Sequence, residues 1–214
     1  MKITKYGHSC LLIEENGVRI ITDPGIWNTT PDATGVSAVL ITHEHPDHSD
    51  VEQVKAILGR NPEAQVITHK GLGSKLEEAG IAYTEIKAGE TIDVQGVSVE
   101  SCGTDHAIIY GDASPCQNTG YLIAGKLFAP GDALHDVPPG QIEILALPCG
   151  GPWMRFSDAI DYAKSLKPRV VFPIHDAMYI EEFRGGLVPR VIGGSLESAG
   201  ISFIDMPAGA TKEF

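Results

Sequence analysis

Six consecutive residues, His43-Glu44-His45-Pro46-Asp47-His48, bring three imidazoles and the Asp47 carboxylate together directly after the apolar run 38–41. On a helix, where each residue turns by about 100°, the three imidazoles would point in divergent directions. Pro46 favours a loop, from which they can converge. Imidazole nitrogens and carboxylate oxygens are ligands of zinc and its first-row neighbours, and one open catalytic ion does not need so many. The hexapeptide therefore predicts two adjacent metal ions.

The elements around this loop alternate between strands and helices. The apolar and period-two patterns predict strands at 3–6, 10–13, 18–22, 36–42, 66–68, 91–94, 97–101, 121–124, 127–129, 142–147 and 170–174. Helical periodicity and capping residues predict helices at about 51–58, with Ser49 or Asp50 as N-cap, at 72–79, and at 157–166, with Ser157 as N-cap. Hairpins and β/α units in both halves predict two sheets sandwiched between helices.

Three more residues of metal-binding type stand at the ends of predicted strands. His106 follows the strand at 97–101, Asp132 follows 127–129 and His175 follows 170–174. Strand ends are where α/β sheets place their chemistry. A single histidine at such a position is more often structural, but the hexapeptide makes these three residues candidate ligands as well.

These residues resemble the metallo-β-lactamase superfamily in type and in order along nearly the whole chain. The resemblance rests on His43-x-His45-x-Asp47-His48, His106, Gly131-Asp132 and His175. The segments Gly7-His8-Ser9, Thr22-Asp23-Pro24, 148–153 and 172–175 are most similar to the branch with ascorbate-phosphate lactonases and N-acyl-phosphatidylethanolamine phosphodiesterases. The resemblance implies an α/β fold, an αββα four-layer sandwich of two mixed β-sheets, with the metals at one edge.

The resemblance also assigns a role to each candidate residue. It implies two divalent metal ions, zinc foremost, with manganese, iron or nickel as alternatives that have the same ligand preferences. One ion would be held by His43, His45 and His106, the other by Asp47, His48 and His175, and Asp132 would bridge them. A metal-bridging hydroxide, oriented or deprotonated by the catalytic residue Asp47, would attack a small ester, lactone or phosphodiester. The formal charge of about +1 in such a site admits a small anionic substrate.

Two other function classes are compatible with the scaffold. Di-iron redox proteins of the superfamily resemble a His-x-Glu-x-Asp pattern, whereas His45 stands at the second position here, and no flavin-binding segment follows. A non-catalytic metal-binding module would have lost ligands, and all the expected ones are present. Hydrolysis is therefore the preferred interpretation.

Several neighbouring residues have both a functional and a structural interpretation. Asp23 is either an acceptor for a ligand imidazole or a turn residue before Pro24. His8 is expected near the metals as a buried structural imidazole, and His135 is either a loop residue or a proton donor to a leaving group. His69 is expected to be solvated. Cys149 is either a buried thiol or a member of the site through the loop 149–153.

Composition limits the remaining possibilities. The 214 residues, 43% hydrophobic and without an evident linker, predict a single domain over 1–214. The net charge of −12 argues against nucleic acid and anionic membranes as partners and favours a small-molecule substrate. Without a secretory signal or a membrane-length apolar run, the chain is expected to be cytoplasmic, and its four cysteines to be free thiols. Homo-oligomerisation is open.

Overall fold

The computed structural model describes all 214 residues, which form fourteen strands and five α-helices. The strands are β1 (Lys2–Gly7), β2 (Cys10–Glu15), β3 (Val18–Thr22), β4 (Ala38–Leu40), β5 (Gln65–Thr68), β6 (Thr84–Glu85), β7 (Thr91–Val94), β8 (Val97–Cys102), β9 (Gly120–Ile123), β10 (Leu127–Ala129), β11 (Ile144–Pro148), β12 (Val170–Ile174), β13 (Ser202–Phe203) and β14 (Thr211–Glu213). The helices are α1 (Val51–Arg60), α2 (Lys70–Glu78), α3 (Phe156–Leu166), α4 (Glu181–Leu187) and α5 (Gly194–Glu197), with a π-helical segment, Val188–Gly193, between the last two. None of the helices combines the length and apolarity needed to cross a membrane.

The strands form two seven-stranded mixed sheets. The first has the order β14-β1-β2-β3-β4-β5-β6, and the second has the order β13-β12-β11-β10-β9-β8-β7. In the first sheet, the strand pairing changes from antiparallel to parallel at β3, which pairs antiparallel with β2 and parallel with β4. In the second it changes at β10, which pairs antiparallel with β9 and parallel with β11. The two halves of the chain thus repeat one arrangement, as the sequence predicts.

Three apolar layers hold the sheets and helices together. The largest, a cluster of 22 buried residues, contains side chains from both sheets and lies between them. A second layer joins the first sheet to α1 and α2, and a third joins the second sheet to α3 and the C-terminal helical stretch. Each sheet is therefore covered on both faces, which explains why its parallel strands are buried almost throughout. The predicted four-layer αββα sandwich is confirmed.

The structure corrects three local predictions. The strand expected at 36–42 is shorter, because the backbone amide of Thr42 donates to the Asp23 side chain (2.7 Å) and leaves the ladder. Helix α3 begins at Phe156 rather than after Ser157, since the Asp158 carboxylate accepts from the Arg155 amide (2.8 Å). His69 is fully buried rather than solvated, and its Nδ1 caps α2 by accepting from Leu72 N (3.4 Å).

The helical stretch at 181–197 is absent from the sequence prediction. Four glycines and Pro189 interrupt the helical periodicity of its apolar residues, and both residue types are unfavourable inside a helix. The stretch is held by the third apolar layer, to which Val188, Ile192 and Leu196 contribute buried side chains. Strands β6 and β13 have two residues each and lie at or near sheet edges, so they are too short for a periodic signal.

The contribution of the apolar layer between the sheets to stability can be measured by shortening one of its buried side chains. Phe172 is fully buried there, with its ring centroid 5.6 Å from that of Phe214. We expect Phe172→Ala to lower the free energy of unfolding by about 3 to 5 kcal/mol, because it removes a buried aromatic ring and leaves a cavity. Urea denaturation followed by circular dichroism tests this. Val137→Ala, at a residue 71% exposed, is the control and should change stability by less than about 0.5 kcal/mol.

Candidate metal centre

The structure brings all seven predicted metal ligands together, in two groups. One group comprises His43, His45, His106 and Asp132, and the other comprises His8, Asp47, His48 and His175. Within each group the candidate ligand atoms lie within 4.8 Å of one another. The residues come from the loops that follow β4, β8, β10 and β12, with His8 between β1 and β2. Both sheets therefore contribute to the centre at a common edge.

Asp132 lies between the two groups and contacts imidazoles of both. Its Oδ1 is 3.2 Å from His48 Nε2, and its Oδ2 is 3.0 Å from His175 Nε2. On the side of the other group, Oδ2 is 3.3 Å from His106 Nε2 and 3.9 Å from His43 Nε2. The indole of Trp153 also donates to Oδ2 (3.0 Å). This is the position that a carboxylate shared by two metal ions would occupy.

Hydrogen bonds on the far side of the rings fix the tautomers of three histidines. His48 Nδ1 donates to Asp23 Oδ2 (2.9 Å), and His106 Nδ1 donates to the carbonyl of Ala107 (2.6 Å). The Thr42 hydroxyl donates to Asp23 (2.9 Å), so it accepts from His43 Nδ1 (2.9 Å). A neutral imidazole with its proton on Nδ1 has a lone pair on Nε2. In all three histidines that lone pair is directed to the interior of the centre.

This arrangement fits bound cations. The Nε2 atoms of His48, His106 and His175 are buried and make no hydrogen bond, although a carboxylate oxygen of Asp132 lies within 3.3 Å of each. Lone pairs that face an anion at such distances repel it, unless a positive charge, from a cation or from a proton on a ring, lies between them. Nitrogen and oxygen donors of this kind suit zinc, manganese, iron and nickel.

The titration behaviour of the centre points to the same need for positive charge. Burial acts to lower the pKa of His48, but Asp132 and Asp23 outweigh it and hold the pKa well above its usual value. Burial acts to raise the pKa of Asp132, but His48 and His175 outweigh it and hold the pKa well below its usual value. Without a cation, a proton on His48 therefore supplies the positive charge beside Asp132, and a bound cation would take its place.

Asp47 is the most accessible carboxylate of the centre, with 17% of its side chain exposed. Its Oδ2 faces His8 Nε2 (3.2 Å), His175 Nε2 (3.6 Å) and His48 Nε2 (3.9 Å). Burial opposes its ionisation, but the hydrogen bond from His8 and the charges of the neighbouring imidazoles lower the pKa to about 2. Asp47 is therefore an ionised acceptor at the open side of the centre.

His8 is grouped with the second set of ligands, but its hydrogen bonds indicate a different role. Its Nδ1 accepts from the backbone amide of Ala177 (3.3 Å), so a neutral ring has its proton on Nε2. That proton points to Asp47 Oδ2. Burial is the main reason that the pKa of His8 falls to about 4, which keeps the ring neutral. His8 is thus arranged as a donor to Asp47.

Comparison with known proteins agrees with the ligand pattern. A family described as "Beta-lactamase superfamily domain" matches residues 2–175, which include every candidate ligand. The chain belongs to the metallo-β-lactamase superfamily. It is 36% identical to Protein Rv0786c of Mycobacterium tuberculosis over 86% of this chain and 88% of that one. It is 27% identical to the UPF0173 metal-dependent hydrolase Ta0764 of Thermoplasma acidophilum, over 82% and 83% of the two chains. Among solved structures it resembles Igni18, a metallo hydrolase of Ignicoccus hospitalis, with a TM-score of 0.77, 25% identity, and coverage of 100% of this chain and 98% of that one.

The backbone around the superfamily ligands is held in conformations that most residues avoid. His8, Asp23 and His175 have φ values of +44°, +43° and +56°, in the left-handed region. Such strain persists where the surroundings determine it, and it is common at functional sites. Gly131 also has a positive φ, and a Cβ there would overlap Asn118, whose Oδ1 accepts from Asp132 N (3.0 Å). Gly131 therefore lets Asn118 approach and hold the shared carboxylate in place.

Buried charges support the loop that contains His175. Lys5 is fully buried and donates to the carbonyl of Pro173 (2.8 Å) and to Asp176 (2.7 Å), on either side of that histidine. Arg184 Nε also donates to Asp176 (2.9 Å) and its guanidinium contacts Asp205. No motif marks these residues, because a lone lysine in a strand gives no sequence signal of burial. The hydrogen bonds among Lys5, Asp176 and Arg184 form only when β1, β12 and α4 pack together.

The structure also shows the surroundings of the residues that have both a functional and a structural interpretation in the sequence. Asp23 is both a turn residue and the acceptor for His48. Cys149 is a buried thiol that donates to Ile174 O (3.2 Å), and burial raises its pKa far above normal; all four cysteines are free, as predicted. His135 is half exposed beside the centre. Thr42, Asn118 and the contact of Trp153 with Asp132 were not predicted, although Thr42 directly precedes the hexapeptide.

Removal of the charge that orients His48 should weaken metal binding without unfolding the chain. We expect Asp23→Asn to lower metal affinity by roughly 10- to 100-fold, because the amide is a poorer acceptor for the Nδ1 proton. Competition with a chromophoric chelator measures the affinity. Asp93→Asn is the matched control, since Asp93 also accepts from a backbone amide (3.0 Å, from Gly96) but lies on β7 in the β7–β8 hairpin. Equal affinities in the two variants would contradict the role of Asp23.

Proposed function

We propose that the protein is a binuclear metal-dependent hydrolase of a small ester, lactone or phosphodiester. The observation that carries the proposal is the Asp132 carboxylate, which contacts imidazoles of both ligand groups without satisfying their nitrogens. The names of the similar proteins, a metal-dependent hydrolase and a metallo hydrolase, support the same class of reaction. The segments Gly7–Ser9 and 172–175 further support the branch with lactonases and phosphodiesterases.

In this proposal the seven residues divide as the superfamily pattern implies. His43, His45 and His106 would hold one ion, Asp47, His48 and His175 would hold the other, and Asp132 would be shared. Two bound divalent ions, zinc or one of its neighbours, supply a Lewis acid for the scissile group and lower the pKa of a water molecule. The buried imidazoles exclude bulk water from all but the open side of the centre.

The residues on the open side position the attacking water and the substrate. Asp47 Oδ2 is engaged by His8, which leaves Oδ1 to accept a proton of the water and orient its oxygen. Trp153 holds Asp132 from the substrate side by its indole N–H. The partner is a small molecule rather than nucleic acid, because a net charge of −12 would repel a polyanion.

Metal stoichiometry tests the shared ligand. We expect fully loaded protein to contain two ions per chain, and Asp132→Ala to lose at least one of them together with hydrolytic activity, because two dications lose the anion between them. Elemental analysis after gel filtration measures the metal content, and circular dichroism shows whether the fold is retained. Asp161→Ala, on the exposed surface of α3, is the control. Unchanged metal content in Asp132→Ala would contradict the shared position.

The role of His8 has its own test. We expect His8→Gln to keep two ions and to lower kcat by less than about tenfold, since the glutamine amide can still donate to Asp47. His8→Ala should also keep both ions but lower kcat by roughly 100-fold, in the range of general acid–base effects. Asp93→Asn, in the β7–β8 hairpin, is the control and should leave kcat unchanged. Loss of one metal ion in His8→Gln would instead make His8 a ligand.

A substrate panel tests the reaction class. Metal-loaded protein should hydrolyse p-nitrophenyl esters, γ-lactones or bis(p-nitrophenyl) phosphate, and it should leave RNA and DNA oligonucleotides intact. Fully loaded protein that hydrolyses none of the small substrates would indicate a non-catalytic metal-binding module. Salt-sensitive cleavage of RNA, abolished by His48→Ala, would show that the polymer is the substrate.

A further inference from the structure

The cleft beside the metal centre has two parts, which share His106 and Trp153 in their walls. The part over the ligands, here called the mouth, has a volume of about 250 Å³ and is lined by Trp27, Ile109, Pro152, Trp153 and Met178 besides the ligands. The other part, here called the chamber, has a volume of about 680 Å³. A substrate at the centre must therefore place one portion in the mouth and can extend another into the chamber.

The mouth has an unusually exposed apolar rim. Trp27, Ile109 and Met178 are 44%, 45% and 40% exposed, although large apolar side chains are usually buried. The other large exposed apolar residues are Ile26, Ile108, Tyr110, Val137, Ile180 and Phe183, and like the first three they lie on segments that follow β3, β8, β10 or β12. Of these nine residues, Trp27, Ile109 and Met178 line the mouth and Ile108 lines the chamber, so four of them border the cleft. Clustered apolar surface of this kind marks a binding site.

The charged groups of the cleft are negative. No lysine or arginine lines the mouth or the chamber, whereas Asp105, Asp112 and Asp158 line the chamber. Three basic side chains on the surrounding segments pair with carboxylates: Lys75 with Glu44 (2.9 Å), Arg155 with Asp158 (3.2 Å) and Arg184 with Asp205 (2.7 Å). Apart from the metal centre, an anionic group of the substrate would meet the carboxylates of the chamber and no lysine or arginine in the lining of the cleft.

From these observations we infer that the substrate is a neutral carboxylic ester or lactone with an apolar acyl chain, which packs against Trp27, Ile109 and Met178 in the mouth. This inference rests on the proposed hydrolase function and narrows it, because it excludes anionic phosphodiesters and acyl chains that end in a carboxylate. The oxygen of water bonds to the carbonyl carbon, the bond from that carbon to the alcohol oxygen breaks, and a water proton passes to that oxygen. The products are a carboxylic acid and an alcohol, or one hydroxy acid from a lactone, and no co-reactant is needed.

The test compares matched substrates on the metal-loaded protein. In the series p-nitrophenyl acetate, butyrate and hexanoate, kcat/KM should rise by up to about fourfold for each added methylene, since each buries apolar surface against the rim. p-Nitrophenyl hemisuccinate, with an acyl chain as long as butyrate but ending in a carboxylate, should be at least tenfold poorer than butyrate. Bis(p-nitrophenyl) phosphate should also be poorer. An anionic substrate that equals or exceeds butyrate, or a series without dependence on chain length, would overturn the inference.

Substitutions in the rim and in the chamber test which residues cause the preference for long, neutral acyl chains. Ile109→Ser and Met178→Ser should each reduce the preference for hexanoate over acetate by at least threefold while both metal ions are retained. Val137→Ser is the matched control, because Val137 is exposed but does not line the mouth. The double variant Asp105→Asn, Asp112→Asn should raise kcat/KM for the hemisuccinate more than for butyrate. A preference for hexanoate that persists in both rim variants would contradict the assigned packing.

The outcomes also separate this inference from the proposed function. Protein that prefers anionic substrates but still hydrolyses them with two ions bound supports the hydrolase and overturns the neutral, apolar substrate. Loaded protein that hydrolyses none of the esters, lactones or phosphodiesters overturns both.

Discussion

A buried carboxylate surrounded by imidazole lone pairs is the constraint on which this structure depends. Removal of an ion from water costs several kcal/mol even after the protein relaxes, and Asp132 is buried without a permanent cationic partner. The indole of Trp153 donates to it, but the Nε2 atoms of His48, His106 and His175 face it without hydrogen bonds. The arrangement is stable when positive charge is supplied from outside the chain. Metal binding would therefore be coupled to folding, since ligands from both sheets must meet before a cation has a place to bind.

The hydrogen bonds that end the strands also prepare the ligands. Thr42 leaves the ladder of β4 to bind Asp23, and the same two residues accept the protons of His43 and His48. One small network thus ends a strand, begins the ligand loop and selects the tautomers. On the opposite side, Lys5 and Asp176 hold the backbone on either side of His175. Mutations in this network would act on stability and on metal affinity together, because the same groups serve both.

The scaffold and the cleft contribute different information about function. The αββα sandwich and the ligand set are properties of the superfamily, and a fold of this kind accommodates many reactions. The loops after β3, β8, β10 and β12 add an apolar rim and a chamber with carboxylates. The metal ions would attract any substrate with an electron-rich oxygen. Selectivity among such substrates therefore depends on how these loops attract or repel the rest of the substrate molecule.

The sequence by itself determined the local features and the order of the ligands. The hexapeptide, the strand-end positions of His106, Asp132 and His175, and most strands could be predicted, because spacing and periodicity act over a few residues. Tertiary structure alone decided the hydrogen bonds of His8, whose Nδ1 accepts from the amide of Ala177, 169 residues away in the chain. It also decided that His69 is buried and that residues 181–197 are helical. These outcomes depend on which surfaces meet when two sheets and their helices pack, and contacts between distant segments leave no periodic signal in either one.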